Sequence, residues 1–207
     1  MKFNVIVEDS PWRFQDKLKN KQGVPRSADD NYSTMGLEDL MGLDVCELSA
    51  DWSVLALWCP TSMLFTHGHP VMEARGYSFR QEWTWVKTGA GVDIAEETPI
   101  PEDPALAFGM GRLARSCKES VLIGVRGKVY DHLLSHSERD VFFAPNLGHS
   151  QKPEELQNKL DRMFGPVPRL ELFARRERPD WICVGAECPA TLGEDIRASI
   201  SALIEAE

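Results

Sequence analysis

The residues with the clearest chemical potential come early, at Asp9-Ser10-Pro11-Trp12. An acid, a backbone kink and an exposed-looking indole together offer a hydrogen-bond acceptor beside an aromatic plane. They directly follow Phe3 to Val7, which reads as a buried strand, so they occupy its carboxyl end, where open α/β sheets bind ligands. A Trp beside Pro in a loop also caps cores, and for Trp12 both readings stand. Other constellations are weaker. His67 with His69, or His132 with His136, has metal-pair spacing, but no nearby carboxylate or cysteine completes a ligand set, so no metal is expected. Gly109-Met110-Gly111 opens like a nucleotide loop, yet no strand precedes it and no third glycine closes it. Trp52, Trp58, Trp83 and Trp85 are explained by sheet packing. Glu96-Glu97 and Glu154-Glu155 read as solvated faces.

The elements that must position these residues follow from periodicity. Strands are predicted at Phe3 to Val7, Ser53 to Cys59, Glu82 to Lys87, Ser120 to Val125, Asp140 to Ala144, Leu170 to Ala174 and Trp181 to Val184. Helices are predicted at Met35 to Leu43, at Met63 to Gly76 with a break near Gly68 and Pro70, at Lys152 to Phe164 and at Leu192 to Ala206. Arg112 to Lys118 reads as one or two helical turns. Arg13 to Tyr32 is a polar loop without periodicity, long enough to suggest function or mobility. Thr88 to Pro104, rich in Gly, Pro and acids, reads as a surface excursion. Strands alternating with helices imply an α/β fold around a mostly parallel sheet, and without a linker or repeat the 207 residues are read as a single domain. Arg175 to Arg178, like Asp9 to Trp12, follow directly on a strand.

Composition narrows the classes. The chain is 43% hydrophobic and 27% charged, ordinary for a globular protein and contrary to wholesale disorder. At this length roughly 70% of the unfolded surface can be buried without disulfides or metal. No apolar run approaches a membrane span, and MKFNVIVEDS lacks a signal peptide's cleavage site. Five cysteines without a CxxC pair read as reduced thiols, so a cytoplasmic location is expected. With 23 basic against 32 acidic residues the net charge is −9, which weighs against tight non-specific nucleic-acid binding by the whole surface.

Eight blocks, in order along nearly the whole chain, resemble the MT-A70 family of S-adenosylmethionine-dependent adenine-N6 methyltransferases: VIVEDSPWRF, NYSTM, LALWCPTSML, GYSFRQEWTWVKTG, CKESVLIGVRG, HSQKPEE, RLELFARR and RPDWICVGAE. The first is similar to the family's strand leading into its Asp-Pro-Pro-Trp signature. The resemblance implies a three-layer Rossmann-like methyltransferase fold with a mostly parallel seven- or eight-stranded sheet, in a permuted order that places the catalytic signature before the cofactor strand. It also implies S-adenosylmethionine as cofactor.

Site roles follow from the same resemblance. Adenine's exocyclic amine is a poor nucleophile because its lone pair is delocalised. Asp9 and the carbonyl of Ser10 or Pro11 would accept its N–H bonds and stabilise the charge developing on nitrogen, while Trp12 would stack on the base. Lys152 would meet the cofactor's carboxylate, with Asp9 near its amino group. Glu171, Phe173 and Arg175 of the LELFAR block would face the ribose and methionine portion, and Glu187 the adenosine portion. Tyr32 matches an aromatic in the loop that closes over the site, and Glu119 an acid beside the target base. Two departures stand out. Ser10 replaces the family's Pro, loosening the loop because Ser does not fix φ, and Ala186 replaces a common Asn. A short chain of this kind is similar to bacterial or phage members, so DNA is the expected substrate, with RNA second and a non-catalytic scaffold third. Lys17, Lys19 and the rest of the basic segment Arg13 to Arg26, with Arg175, Arg176 and Arg178, would form a positive rim, and a homodimer would join two such rims. A solvated loop is the plainer reading of these lysines.

Overall fold

The first strand shows how the sequence builds the sheet. In β1 (Phe3–Glu8, FNVIVE), Val5 and Val7 enter one core cluster while Phe3 and Ile6 enter the other. Strict alternation would separate Phe3 from Ile6; an irregularity in the β1 pairing between Phe3 and Val5 brings them to the same side. A computed structural model describes residues 1–13, 18–19, 25–26, 34–89, 106–107, 113–146, 148 and 151–206.

Besides β1, the main sheet contains β4 (Ser49–Cys59), β5 (Ser78–Thr88), β6 (Lys118–Arg126), β7 (Val141–Pro145), β8 (Arg169–Leu172) and β9 (Ile182–Val184). Their spatial order is β7-β5-β6-β4-β1-β8-β9. Only β6 runs against its neighbours; the other pairings are parallel. The sheet is therefore seven-stranded and mostly parallel, an α/β arrangement of the kind expected. The core cluster holding Ile6, Leu57, Leu122 and Leu172 also holds Leu40 of α1 (Leu37–Met41), Val71 of α2 (His69–Ala74) and Ile200 of α4 (Ile196–Glu205). The cluster holding Val7, Trp58, Trp85 and Val121 takes Leu156, Leu160 and Phe164 from α3 (Glu155–Phe164). No helix among the described residues is long and apolar enough to cross a membrane.

Several boundaries differ from expectation, each for a local reason. The predicted Met63 to Gly76 helix breaks near Gly68 and Pro70 as expected, but the part before the break is a π turn at Leu64–Gly68, after a 3₁₀ turn at Thr61–Met63, and only α2 is α-helical. Pro70 has no N–H to continue a helix from upstream, so it sits in the first turn of α2 instead. α4 begins at Ile196 rather than Leu192, because Asp195 caps it: its Oδ1 accepts the Arg197 N–H at 2.8 Å, and Leu192 stays 73% exposed. Lys152 lies outside α3, its carbonyl accepting from both terminal nitrogens of Arg176 at 3.2 Å. Arg112 to Lys118 is not helical among its described residues; β6 already begins at Lys118. Within the long basic segment, β2 (Leu18–Lys19) pairs antiparallel with β3 (Pro25–Arg26), a hairpin that a reading without periodicity does not contain.

Because β6 is reversed, its first residues reach the rim where the other strands end. Ser120 pairs with Cys59 at the end of β4, and Glu119 with Trp85 near the end of β5. Glu8 pairs with Leu57 on one side and Leu172 on the other, so Asp9 emerges at the same rim.

Candidate active site

Two carboxylates and two ammonium groups alternate at this rim. Lys152 Nζ lies 2.9 Å from Asp9 Oδ1, 3.1 Å from Asp9 Oδ2 and 3.3 Å from Glu119 Oε2. Lys87 Nζ donates to the other oxygen of Glu119. Below them the indoles of Trp58 and Trp85 cross at 80°, centroids 6.0 Å apart, with Lys152 Nζ 5.5 Å over the first and Lys87 Nζ 4.8 Å over the second. The four charges sum to zero, so the cluster is balanced while largely withdrawn from water.

Its electrostatics are uneven. Burial works against the Lys152 ammonium, but Asp9 and Glu119 outweigh it and its pKa is raised. Burial also works against the Glu119 carboxylate, yet Lys152 and Lys87 prevail and hold it below its ordinary range. Asp9 goes the other way: burial raises its pKa above the ordinary 3.8, and Lys152 offsets only part of the rise.

The segment after β1 is held by short local bonds. Ser10 O accepts from Trp12 N at 2.9 Å, and Pro11 O from Met35 N at 2.8 Å. Each carbonyl keeps a second lone pair for another donor. The exposed indole is a correction. Trp12 is 4% exposed, packed in the core on the α1, α2 and α4 side, with its Nε1–H donated to Trp58 O at 3.0 Å. Joining the apolar cluster while satisfying its one polar atom favours this inward position. Trp12 therefore caps the core and offers no open stacking plane.

The ends of β8 and β9 form the neighbouring part of the rim. Phe173 turns the chain with φ 59°, a conformation that costs energy for a residue with a side chain. Gly185 lies so close that a Cβ there would sit 2.6 Å from Ala174 N and against Ala174 O. We expect Gly185→Ala to cost about 1–3 kcal/mol by forcing these two turns apart; a thermal melt unchanged within a degree would refute this. Arg175 Nε stands 3.7 Å from Glu187 Oε1, both partly exposed. Glu171 accepts from Gln157 Nε2 at 3.0 Å, and burial raises its pKa while that hydrogen bond partly offsets the rise. Its bond runs to α3, so it does not join the Asp9 cluster. An open hollow of about 670 Å³ runs along β9, but Asp9, Lys152 and Glu119 are not among its walls.

Two arginines of the expected basic rim already have carboxylate partners. Arg176 Nε pairs with Glu154 at 3.1 Å, and Arg178 bonds Glu154 at 2.7 Å, Asn158 at 2.6 Å and Asp161 at 2.8 Å. Glu154, read as part of a solvated face, is their common acceptor. Lys17 and Tyr32 fall outside the described residues; Lys19 lies in β2, its side chain likewise outside. Among the described residues no group of three metal-ligating side chains occurs. His132 instead stacks on Trp52 at 4.1 Å.

The structure thus brings Asp9, Glu119 and Lys152 together and sets Phe173, Arg175 and Glu187 on the adjoining rim. Sequence reasoning missed Lys87 and the tryptophan floor. The alternation in EWTWVK carried the signal, since it puts Trp83, Trp85 and Lys87 on one face with Lys87 nearest the strand's end.

Comparisons with known proteins place the chain in a family. The family described as MT-A70 matches residues 3–187. A bacterial relative, Type II methyltransferase M.MunI from Mycoplasma sp, is 25% identical over 202 residues, covering 91% of this chain and 78% of the relative. The human N(6)-adenosine-methyltransferase catalytic subunit METTL3 is 26% identical, covering 89% of this chain and 28% of its own length. The zebrafish (Danio rerio) non-catalytic subunit METTL14 is also 26% identical, covering 89% of this chain and 39% of its own. This chain therefore spans most of the bacterial relative but well under half of the other two. With residues 3–187 matched by the family's model, the chain belongs to the MT-A70 family.

Proposed function

We propose that this protein transfers a methyl group from S-adenosylmethionine to the N6 amine of adenine in DNA, as a single three-layer Rossmann-like domain. The observation that carries the reading is the Asp9–Lys152 pair, 2.9 Å apart at the rim where the strands end. The residues suit the cofactor's amino-acid end: a cation for its carboxylate stands beside an anion for its ammonium. Lys152 would hold the carboxylate, with Asp9 near the amino group. Glu171, Phe173 and Arg175 would hold the ribose and methionine portion, and Glu187 the adenosine portion. Bound there, the cofactor supplies an electrophilic methyl on a sulfonium.

The chain's own groups prepare the nucleophile. Asp9 and the free lone pair of the Ser10 or Pro11 carbonyl accept the two amine N–H bonds, which localises the nitrogen lone pair and stabilises its developing positive charge. Glu119 remains as the carboxylate partner of Lys152 when Asp9 turns to the base. Trp12, Tyr32, Lys17 and Lys19 are assigned to the base and its strand, Trp12 by its position beside Asp9 after moving from its core seat. A homodimer in the cytoplasm is the form we propose. The resemblance to a bacterial Type II methyltransferase supports DNA over RNA.

The second reading is a non-catalytic subunit. The neutralised arginines favour it, since Arg176 and Arg178 already have carboxylate partners and phosphate binding must displace them. Methyl transfer from labelled S-adenosylmethionine to adenine-unmethylated duplex DNA, single-stranded DNA and RNA at low salt separates these readings. N6-methyladenine in DNA by nucleoside mass spectrometry is the expected result. Product only in RNA would move the substrate, and no product on any of them would favour the non-catalytic reading.

The raised Asp9 pKa gives a pH test. Only as a carboxylate does Asp9 set a negative charge against the positive charge developing on the amine, so transfer falls as pH drops through its raised pKa, while Glu119, held low, stays ionised. The acidic limb of the pH–rate profile is therefore expected above 3.8. A limb at or below that value would exclude Asp9 ionisation as the limiting event.

A further inference from the structure

Beneath the candidate site lies an ion pair that the proposed chemistry does not use. Glu8 and Arg75 are both 0% exposed. Arg75 Nε donates to Glu8 Oε2 at 3.1 Å and Nη2 to Glu8 Oε1 at 3.0 Å, a bidentate pair. Arg75 Nη1 donates to the carbonyls of Leu40 at 2.7 Å and Leu43 at 3.2 Å. Glu8 Oε1 also accepts the Ser10 hydroxyl at 2.6 Å, and Ser10 is itself buried.

We propose that the buried Glu8–Arg75 pair, acting through the Ser10 hydroxyl, positions Asp9 and the Ser10 carbonyl for the reaction. This rests on the function proposed above. Asp9 is the residue between two that the network holds, Glu8 directly and Ser10 through its side chain. Its own backbone needs the help, because the Asp9 N–H reaches Leu172 O only at 3.4 Å, where β1 is leaving the sheet. Pro11 restricts Ser10 to extended conformations, and the hydroxyl bond selects among them. The Ser10 hydroxyl thus supplies by hydrogen bonding what a proline at that position would supply by fixing φ. The same guanidinium steadies the returning chain. Leu40 and Leu43 follow Met35, whose N–H is donated to Pro11 O. Both flanks of the segment between Trp12 and Met35 are therefore tied to one buried group. Glu8 and Arg75 do not touch the reacting atoms; they act through Ser10.

Ser10→Ala removes the link while keeping the carbonyl. We expect kcat to fall about 10- to 100-fold, with S-adenosylmethionine Kd by calorimetry within twofold and Tm nearly unchanged, because a small misplacement of an acceptor costs that much. Ser10→Thr, which retains a hydroxyl, should recover most of the lost kcat. The double variant Glu8→Met/Arg75→Leu removes the acceptor without stranding a buried charge and should lose kcat to a similar degree. Amide exchange at Trp12 and Met35 should accelerate in Ser10→Ala. Wild-type kcat in Ser10→Ala, a loss that merely follows Kd or Tm, or unchanged exchange would each overturn the proposal. If the wild-type chain itself transfers no methyl group, the proposed function fails, and the exchange rates alone decide whether the network positions the segment.

Discussion

Asp9→Asn is expected to lower methyl transfer by about 10²–10³-fold while Tm holds or rises slightly. Asn keeps the shape of Asp but replaces one acceptor oxygen with an amide that donates, so one amine hydrogen loses its partner as positive charge develops. The stability side follows from linkage. A folded-state pKa raised above the unfolded value contributes stability below the unfolded pKa, and this is lost as pH rises through the folded pKa. At neutral pH, ionised Asp9 is therefore a net cost to the fold, and Asn removes it. Lys152 retains Glu119 at 3.3 Å, so the substitution does not strand it. The pattern is that of a site where function is kept at the expense of stability. Single-turnover transfer with a thermal melt at the same pH checks both halves. Wild-type turnover would remove Asp9 as the amine acceptor, and a large drop in Tm would mean that it is structural.

Arg75→Leu is expected to have the largest effect on stability. It leaves the Glu8 carboxylate buried without its cation and frees the Leu40 and Leu43 carbonyls. Breaking a buried pair from one side costs about 3–5 kcal/mol, a large part of a total typically near 5–15 kcal/mol. For a domain of this size that corresponds to a Tm drop of roughly 6–20 °C. Adding Glu8→Met should restore much of the loss, since no unpaired charge then remains. Melting curves of the two variants by circular dichroism make the comparison. A single variant no less stable than the double one would show that Glu8 does not depend on Arg75.

The sheet was readable because its strands are dense in β-branched and aromatic residues with clear alternation, as in SVLALWC and EWTWVK. Boundaries failed where tertiary bonds decide them. Asp195 rather than apolar spacing starts α4, and the bonds from Arg176 to the Lys152 carbonyl accompany a Lys152 outside α3. Of the site, the strand-end position of Asp9 was visible from spacing alone, whereas Lys152 and Glu119 came only through family resemblance. Nothing local marks residues 110 and 143 positions away as neighbours of Asp9; the crossover of β6 and the approach to α3 bring them there. Trp12 misled because its surroundings in sequence, Pro11 and Arg13, are polar or kinked, while its partner in space is the carbonyl of Trp58. Glu8 falls just beyond the strand read as Phe3 to Val7, and nothing local marks it as buried, since its counter-ion lies 67 residues on.

The reversal of β6 also divides the molecule into parts that can vary separately. The connection from β5 leaves at Thr88 and returns at Lys118, so both its ends stand at the mouth of the site on the side of Glu119. The turns at Phe173 and Gly185 lie on the opposite side of β1. Changes to the β5–β6 connection would thus act on the Glu119 side of the site and leave the β8–β9 turns alone, provided they keep its backbone bonds to the end of β5, where Ala107 N donates to Lys87 O and Lys87 N to Cys117 O, both at 2.8 Å. For engineering, the natural graft point is therefore the part of this connection outside Leu106, Ala107 and Cys117, with β1 as the fixed boundary between the exchangeable half and the constant one.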